Sequence, residues 1–235
     1  MSRIRTKHPW AKLVTSNMYN LNTFANQHVR FTGSYGIPVM EKCDFIPEAL
    51  FPYDERQKWV SGDGAIQFFC EDKRFESVWL RLNRQPYMPE IILKVGSCTS
   101  PDFSLFTDHS PAVHIWNTYR SRLCGALWQS LGIDVIPTIS WAENTSYDFC
   151  FDGLSIGGTV AIATNYINNP DEKVLFLNGY REMIKRVKPD MIICQGKGLK
   201  GQLEKFHPDV RRFETRAAQQ TKKLRIEAKN VLLSA

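Results

Sequence analysis

Short apolar runs alternate with longer segments of helical periodicity through the middle of the chain. The runs are almost continuously apolar, which is typical of strands covered on both faces in a parallel sheet. We therefore predict an α/β fold with a mainly parallel sheet of five to six strands flanked by helices, either doubly wound or an incomplete barrel. The predicted strands are Ala65–Phe69, Ile91–Val95, Ile133–Ile139, Phe149–Phe151, Thr159–Thr164 and Met191–Cys194.

The clearest predicted helix covers residues 111–131. Ser110 is a suitable N-cap, and Pro111 suits the first helical position. Gly132 follows where a left-handed residue commonly ends a helix. The other predicted helices are a segment near Lys73–Arg84 and one that starts at Asn169 and stops before Pro189.

Composition divides the chain into three segments. Residues 1–60 are rich in Gly, Pro and aromatic residues, which predicts an irregular segment packed on the body. Residues 61–196 form the predicted α/β core. Residues 197–235 carry ten Lys and Arg against four Asp and Glu and predict a basic amphipathic helix. Three alternatives stay open for this helix: docking on the body, pairing two copies of the chain into an oligomer, or lying along a phosphate backbone.

Several classes of protein do not fit the composition. No apolar run reaches the roughly 18 residues of a membrane span, and no apolar region follows the basic N-terminus as in a secretory signal. The six cysteines form no CxxC pair, which argues against a structural zinc site and for reduced, buried thiols. We therefore expect a soluble cytoplasmic protein without membrane association.

Polar residues follow the predicted strands. The carboxyl ends of parallel strands meet at one rim, where ligands bind in α/β folds. Asp72, Asp102 and Asp152 each follow a predicted strand, so they are candidate ligands for a divalent metal or candidates for acid and base. The ordinary alternative is that these side chains only serve turns and caps.

Two arginines lie on the long predicted helix, whose other residues look buried. Arg120 shares a helical face with Asn117, and Arg122 follows two residues later. A buried guanidinium needs a partner, which is either Asp102 or Asp152, or a phosphate brought by a ligand.

Three blocks resemble a known family. They are SPDFSLFTDHSPAVHIWNTYRSRLCGALWQSLGIDVIPTISW, YDFCFDGL and NGYREMIKRVKPDMIICQG. In this order they are similar to the bacterial and phage proteins grouped as domain of unknown function 4417. The resemblance implies a phage or mobile-element context and a bacterial host cell, and it implies no activity. The chain departs from the family at Gln195-Gly196, where the family ending is closer to Tyr-Gly.

The candidate site residues combine the predicted rim with the positions that match the family blocks. The candidate catalytic residues are Asp102, Asp152, Arg120 and Arg122. The candidate ligand-binding residues are Ser104, Asn117, Trp141, Gly153 and Gly196. The candidate metal ligands are Asp72, Asp102 and Asp152. The candidate nucleic-acid contacts are Lys197, Lys200, Arg211, Arg212, Lys222 and Lys223.

Three functional hypotheses follow. In the first, the chain is a phage or mobile-element protein that binds nucleic acid, in replication, regulation or defence. In the second, it is a metal-assisted hydrolase of a phosphorylated or nucleotide substrate, with a divalent metal as its candidate cofactor. In the third, it acts on a host partner without catalysis.

Overall fold

The structure, a computed structural model, describes residues 29–82, 92, 94–165, 167, 169–215, 217, 218, 220–222 and 224–226. A small antiparallel hairpin of β1 (Phe31–Thr32) and β2 (Ile37–Pro38) precedes the main sheet. The main strands are β3 (Ala49–Pro52), β4 (Gly64–Gln67), β5 (Ser97–Thr99), β6 (Asp134–Ile136), β7 (Thr159–Ala163), β8 (Met191–Gln195) and β9 (Val210–Phe213).

All pairs of neighbouring main strands run parallel. Strands β3, β4, β5 and β6 form one sheet, and β7, β8 and β9 form a second. A parallel bridge between Thr138 and Ala161 joins the two sheets, and the Ala161 amide donates to the Pro137 carbonyl at 2.8 Å. The predicted parallel α/β fold is therefore confirmed, with seven main strands among the described residues instead of five or six.

The strand order identifies which α/β arrangement is present. The strands succeed one another in space as they do in sequence, without the reversal of a doubly wound sheet. Apolar side chains from β4, β6, β7 and β8 meet on the inner face, where Leu50 of β3 and Phe213 of β9 join them. Arg211 of β9 also reaches Glu48, directly before β3, at 2.8 Å. The sheet is thus curved like an incomplete barrel, with its last strand bonded to the residue that precedes its first strand.

Three helices in the described part of the chain cover the outer face of this curved sheet. They are α1 (Glu76–Leu80), α2 (Pro111–Ser130) and α3 (Pro170–Val187). A first outer cluster packs Ile66 and Cys98 against α1 and α2, and a second packs Ile162 and Ile192 against α3. Because both clusters lie outside the sheet, the small inner cluster is formed by strands and loops alone.

The predicted starts and ends of α2 and α3 are confirmed. Pro111 opens α2, and Gly132 closes it with φ of 83°. The amides of Gly132 and Ile133 donate to the Gln129 and Trp128 carbonyls, which is the Schellman pattern. Asn169 and Glu172 form a capping box at the start of α3.

Two predicted strands are wrong. Residues 149–151 form turns after a 3₁₀ segment at Asn144–Asp148, and the Cys150 amide donates to the Ser146 carbonyl. Ile92 is helical and residues 94–95 are in a turn, so the strand begins only at Ser97. Short apolar runs are buried equally well in turns and in strands, which explains both errors.

The predicted C-terminal helix begins later than its basic residues suggest. Leu203–Lys205 is a 3₁₀ turn, and β9 pairs with β8. Pro208 disfavours a helix through this segment, because it provides no amide donor. Residues 217, 218, 220–222 and 224–226 are helical.

The described part of the N-terminal segment is mostly irregular, and it packs on the body. The Met40 amide donates to the Gly153 carbonyl at 2.8 Å, and the Met40 side chain lies against Gly125 of α2. Residues 1–28 of the predicted segment lie outside the described residues. The sheet extends beyond residues 61–196 at both ends, through β3 and β9. In the described ranges, no helix combines the length and apolar character needed to cross a membrane.

Candidate active site

Loops that follow three neighbouring strands meet at the carboxyl end of the sheet. Asp72, in a 3₁₀ turn after β4, accepts hydrogen bonds from the Ser104 amide at 3.0 Å and the Ser104 hydroxyl at 2.8 Å. Ser104 lies in the loop after β5. Asp102, in the same loop, accepts a hydrogen bond from the Ser140 hydroxyl after β6 at 2.6 Å. We call these four residues, Asp72, Asp102, Ser104 and Ser140, the carboxyl-end rim.

Asp102 is the rim group best suited to exchange a proton. Burial, helped by the negative charge of Asp72, raises the pKa of this carboxyl to about 6 against the opposing effect of the Ser140 hydrogen bond. A carboxyl that titrates near neutral pH can act as general acid or general base. The neighbouring thiol of Cys70 is a poor nucleophile, because burial raises its pKa to about 12.

A chain of hydrogen bonds connects the rim to α1 and α2. The Asn117 amide donates to the Ser104 carbonyl at 2.6 Å, and Arg120 donates to the Asn117 side-chain oxygen at 2.7 Å. Arg120 also pairs with Glu76 of α1 at 2.5 Å and lies over the Phe103 ring. The partner of Arg120 is therefore Glu76, not Asp102 or Asp152. Asn117 thus holds Ser104 directly, and Arg120 holds Asn117.

Arg122 binds main-chain oxygens. Its guanidinium donates to the carbonyls of Thr138 at 2.8 Å, Cys150 at 2.9 Å and Asp152 at 3.3 Å. Burial lowers its pKa to about 10. The expected carboxylate partner is absent among these three hydrogen bonds. Arg122 instead fastens the long loop between β6 and β7 to α2.

Asp152 and Gly153 lie at the junction with the N-terminal segment. The Asp152 carboxylate lies against Gly33, and burial raises its pKa despite the favourable charges of Arg186 and Arg122. Gly153 has φ of 71°, and a Cβ there would clash with the Pro38 carbonyl. Within the described ranges, no three His, Cys, Asp or Glu side chains lie close enough to hold a metal. Asp72 and Asp102 are neighbours, whereas Asp152 belongs to a different contact.

Trp141 and Gly196 have packing roles near the same end of the sheet. The Trp141 indole lies on Gly179 of α3, where a Cβ would collide with it. Gly196 has φ of 104°, and a Cβ there would approach Asn165 and Thr164 too closely. Gly196 thus allows the loops after β7 and β8 to touch.

Sequence reasoning missed three buried oxygens near the carboxyl ends of the strands. They are Thr99 Oγ1, Gln195 Oε1 and Asn165 Oδ1, and none has a hydrogen-bond partner within the described part of the chain. Thr99 and Gln195 are the last residues of β5 and β8. A polar residue closing an apolar run such as Met191–Cys194 is the sequence signal that could have identified Gln195.

Some of the predicted nucleic-acid contacts already pair with acidic side chains of the same chain, and others do not. Arg211 pairs with Glu48, and Arg212 pairs with Glu204 at 2.6 Å while it donates to the Gly198 carbonyl at 3.0 Å. Lys197 pairs with Glu214 at 2.9 Å and remains largely exposed. The remaining predicted contacts are Lys200 and Lys222, which are exposed, and Lys223, which lies outside the described residues.

A cleft of about 420 Å³ lies at the opposite end of the strands. Asp134, at the start of β6, lines it together with Lys42, Gln129 and an ion pair between Arg30 and Glu41. Its position at the amino ends of the strands separates it from the carboxyl-end rim.

Comparison with known proteins places the chain in a family. The family model described as "Domain of unknown function (DUF4417)" matches residues 29–214. The chain belongs to this family. The resemblance inferred from the three sequence blocks is therefore confirmed.

The relatives are phage proteins. The chain is 39% identical over 188 residues to the "Gene 1 protein" of Mycobacterium phage L5, covering 78% of this chain and 80% of that protein. It is 40% identical over 171 residues to the "Gene 1 protein" of Mycobacterium phage D29, covering 71% of this chain and 62% of that protein, less than two thirds of its length. No solved structure matches the chain.

Proposed function

We propose that the protein is a metal-assisted hydrolase of a phosphorylated or nucleotide substrate, with Asp72 and Asp102 of the carboxyl-end rim at its centre. The observation that carries this proposal is the proximity of two carboxyl groups from the loops after β4 and β5, one of them with a pKa of about 6. Carboxyl ends of parallel strands are the usual location of active sites in barrel-like α/β enzymes.

The chemistry of the rim favours a cation as the first ligand. Its two carboxylates are oxygen acceptors, and Mg²⁺ is commonly bound by one or two carboxylates together with water and substrate phosphates. The nearby arginines are already engaged, because Arg120 pairs with Glu76 and Arg122 binds three carbonyls. A phosphate at the rim would therefore need a metal ion to balance its charge.

Asp102 would hold the metal ion together with Asp72 in this proposal. The ion would supply the activated water for hydrolysis. Ser140 fixes the carboxyl through Oδ1, and Asn117 fixes the loop through the Ser104 carbonyl.

Metal binding and hydrolysis test the proposal separately. We expect Mn²⁺, followed by electron paramagnetic resonance, to bind the wild-type protein and to bind Asp72→Asn and Asp102→Asn much more weakly. Asp152→Asn is the matched control and should bind Mn²⁺ like the wild type. Hydrolysis of bis(p-nitrophenyl) phosphate with Mn²⁺ should follow the same order. Equal Mn²⁺ binding by all four proteins, or none by the wild type, would refute the proposal.

Nucleic-acid binding is the second candidate function, and the exposed basic end supports it. Residues 197–235 carry a net charge of +6, and Lys200, Lys222 and Arg225 are exposed. Such a surface should bind DNA or RNA with an affinity that falls steeply as salt rises. Lys200→Ala with Lys222→Ala should weaken binding and reduce the salt slope by about 2, since each phosphate contact contributes about 1.

The control for this second function is Lys185→Ala, an exposed lysine on α3. If this control weakened binding as much as the double variant, the basic end would not be the contact. An absence of binding to DNA and RNA at low salt would reject the second function. Pairing of two copies through the C-terminal helix stays a prediction.

A further inference from the structure

The inner face of the curved sheet changes from apolar to polar toward the carboxyl ends of its strands. Ala65 and Ile193 belong to the inner apolar cluster. The residues that follow them, Ile66 and Cys194, belong to the outer clusters. Side chains alternate along a strand, so the next residues, Gln67 and Gln195, face inward again.

The same alternation places Thr99 on the inner face. Cys98 of β5 packs in the first outer cluster, so Thr99, the last residue of this strand, points to the interior. Gln67, Thr99 and Gln195 therefore end three strands with an inward polar side chain each. We call these three residues the polar floor.

Two members of the polar floor have unsatisfied oxygens. Gln67 Oε1 accepts a hydrogen bond from the Phe69 amide. Thr99 is 0% exposed and Gln195 is 4% exposed, yet Thr99 Oγ1 and Gln195 Oε1 lack a partner within the described residues. Buried polar atoms without partners cost folding free energy, so natural proteins keep few of them without a functional reason.

The unsatisfied atoms define the complementary chemistry. The amide oxygens of Gln195 and of Asn165, after β7, are uncharged acceptors, and the Thr99 hydroxyl can both donate and accept. A ligand that completes the two amide oxygens must present O–H or N–H donors, and Thr99 can bond to a donor or to an acceptor on the same ligand. A metal ion would instead favour the carboxylates of Asp72 and Asp102. The polar floor thus suits a neutral, donor-bearing group.

We propose that the polar floor binds the sugar hydroxyls or base N–H groups of a nucleoside, as the specificity site of the proposed hydrolase. The proposal rests on the proposed function for its reaction, since it assigns the unreacting part of a nucleotide to the floor and the phosphate to the carboxyl-end rim. Thr99 lies three residues before Asp102 on the same segment, so this segment contributes to both the floor and the rim.

Nucleoside binding tests this inference without requiring catalysis. The probes are adenosine, guanosine, cytidine and uridine, titrated calorimetrically into the full-length protein. We expect at least one to bind the wild type, and Thr99→Val and Gln195→Met to weaken that binding roughly tenfold or more, as expected for loss of a buried hydrogen bond. Asp102→Asn, which should abolish hydrolysis, should retain nucleoside binding.

The controls separate a ligand site from a structural one. Thr99→Val removes an unsatisfied atom with little change of shape, so it should be at least as stable as the wild type in urea. Thr159→Val changes a buried threonine at the amino end of β7 and should leave binding unchanged.

Binding of every nucleoside with wild-type affinity by both floor variants would overturn the inference, as would binding of none by the wild type. If the wild type bound a nucleoside but neither bound Mn²⁺ nor hydrolysed the phosphate ester, only the proposed reaction would be overturned.

Discussion

Replacement of Asp102 by Asn should stabilise the protein above neutral pH. Burial raises the folded-state pKa of this carboxyl from 3.8 to about 6, so the folded protein holds the proton more tightly than the unfolded chain. The unfolding free energy of the wild type therefore decreases as the pH rises from about 4 to about 6. Above about pH 6 the carboxyl of Asp102 is charged in the folded protein, and the wild type then carries the full free-energy cost of burying that charge.

The size of this effect follows from the shift. At about 1.4 kcal/mol per pKa unit, the change from 3.8 to about 6 corresponds to roughly 3 kcal/mol. Asp102 is only half-buried, so water reduces this value, and we expect about 2 kcal/mol. The side-chain oxygen of an asparagine in its place can still accept the hydrogen bond from Ser140, so the substitution removes the charge with little other change.

Urea unfolding followed by circular dichroism between pH 4 and pH 8 measures the difference. Asp102→Asn should match the wild type near pH 4 and exceed it by about 2 kcal/mol at pH 8. Asp190→Asn provides a control of opposite sign, because the Gly158 amide and Lys42 lower the pKa of Asp190. That variant should be less stable at pH 8, and its deficit should vanish as the pH falls. A pH-independent difference for Asp102→Asn would refute the raised pKa.

Four further substitutions, one of them a control, test local packing and helix capping by urea unfolding. Gly153→Ala should lower the free energy of unfolding by at least about 2 kcal/mol, because the backbone there has a positive φ and the new Cβ would clash with Pro38. Gly36→Ala is the control, since Gly36 also has a positive φ but faces open space, and it should lower the free energy of unfolding by about 1 kcal/mol. Asn169→Ala should cost about 1 kcal/mol through loss of the capping box, and no change would contradict that role. Arg122→Met should lower the free energy of unfolding by about 3 kcal/mol or more, because buried carbonyls lose their donors. An unchanged free energy of unfolding would contradict the role of Arg122 in holding the loop between β6 and β7.

The predictable parts of the fold depend on local chemistry. Pro111 and Gly132 mark α2, and Asn169 marks α3, because such signals act over one turn of chain, although the Ser110 side chain makes no capping hydrogen bond. The parallel sheet was predictable because its strands are apolar on both faces. Strand β9 was not predictable, since Val210–Phe213 has two arginines at its centre and becomes a strand only through pairing with β8.

The candidate site was predictable to the same extent as its strands. Asp72 and Asp102 follow β4 and β5, which are real neighbours, and their side chains meet Ser104 and Ser140 there. Asp152 follows residues 149–151, which form turns, so no strand directs it toward the rim. The error in one strand thus accounts for the missing third carboxylate. Thr99 was overlooked because its burial depends on the curvature of the whole sheet.

The distribution of charge suggests how the two proposed functions would cooperate. Residues 41–196 carry fifteen Lys and Arg against twenty Asp and Glu, a net charge of −5, whereas residues 197–235 carry +6. A polyanion would be repelled by the body unless a metal ion occupied the carboxyl-end rim, and it would be attracted by the basic end. A short nucleotide reaches only the rim, so its binding should depend strongly on the metal and weakly on Lys200 and Lys222. A long nucleic acid can reach both surfaces, so the metal requirement and the salt slope would distinguish the two kinds of substrate.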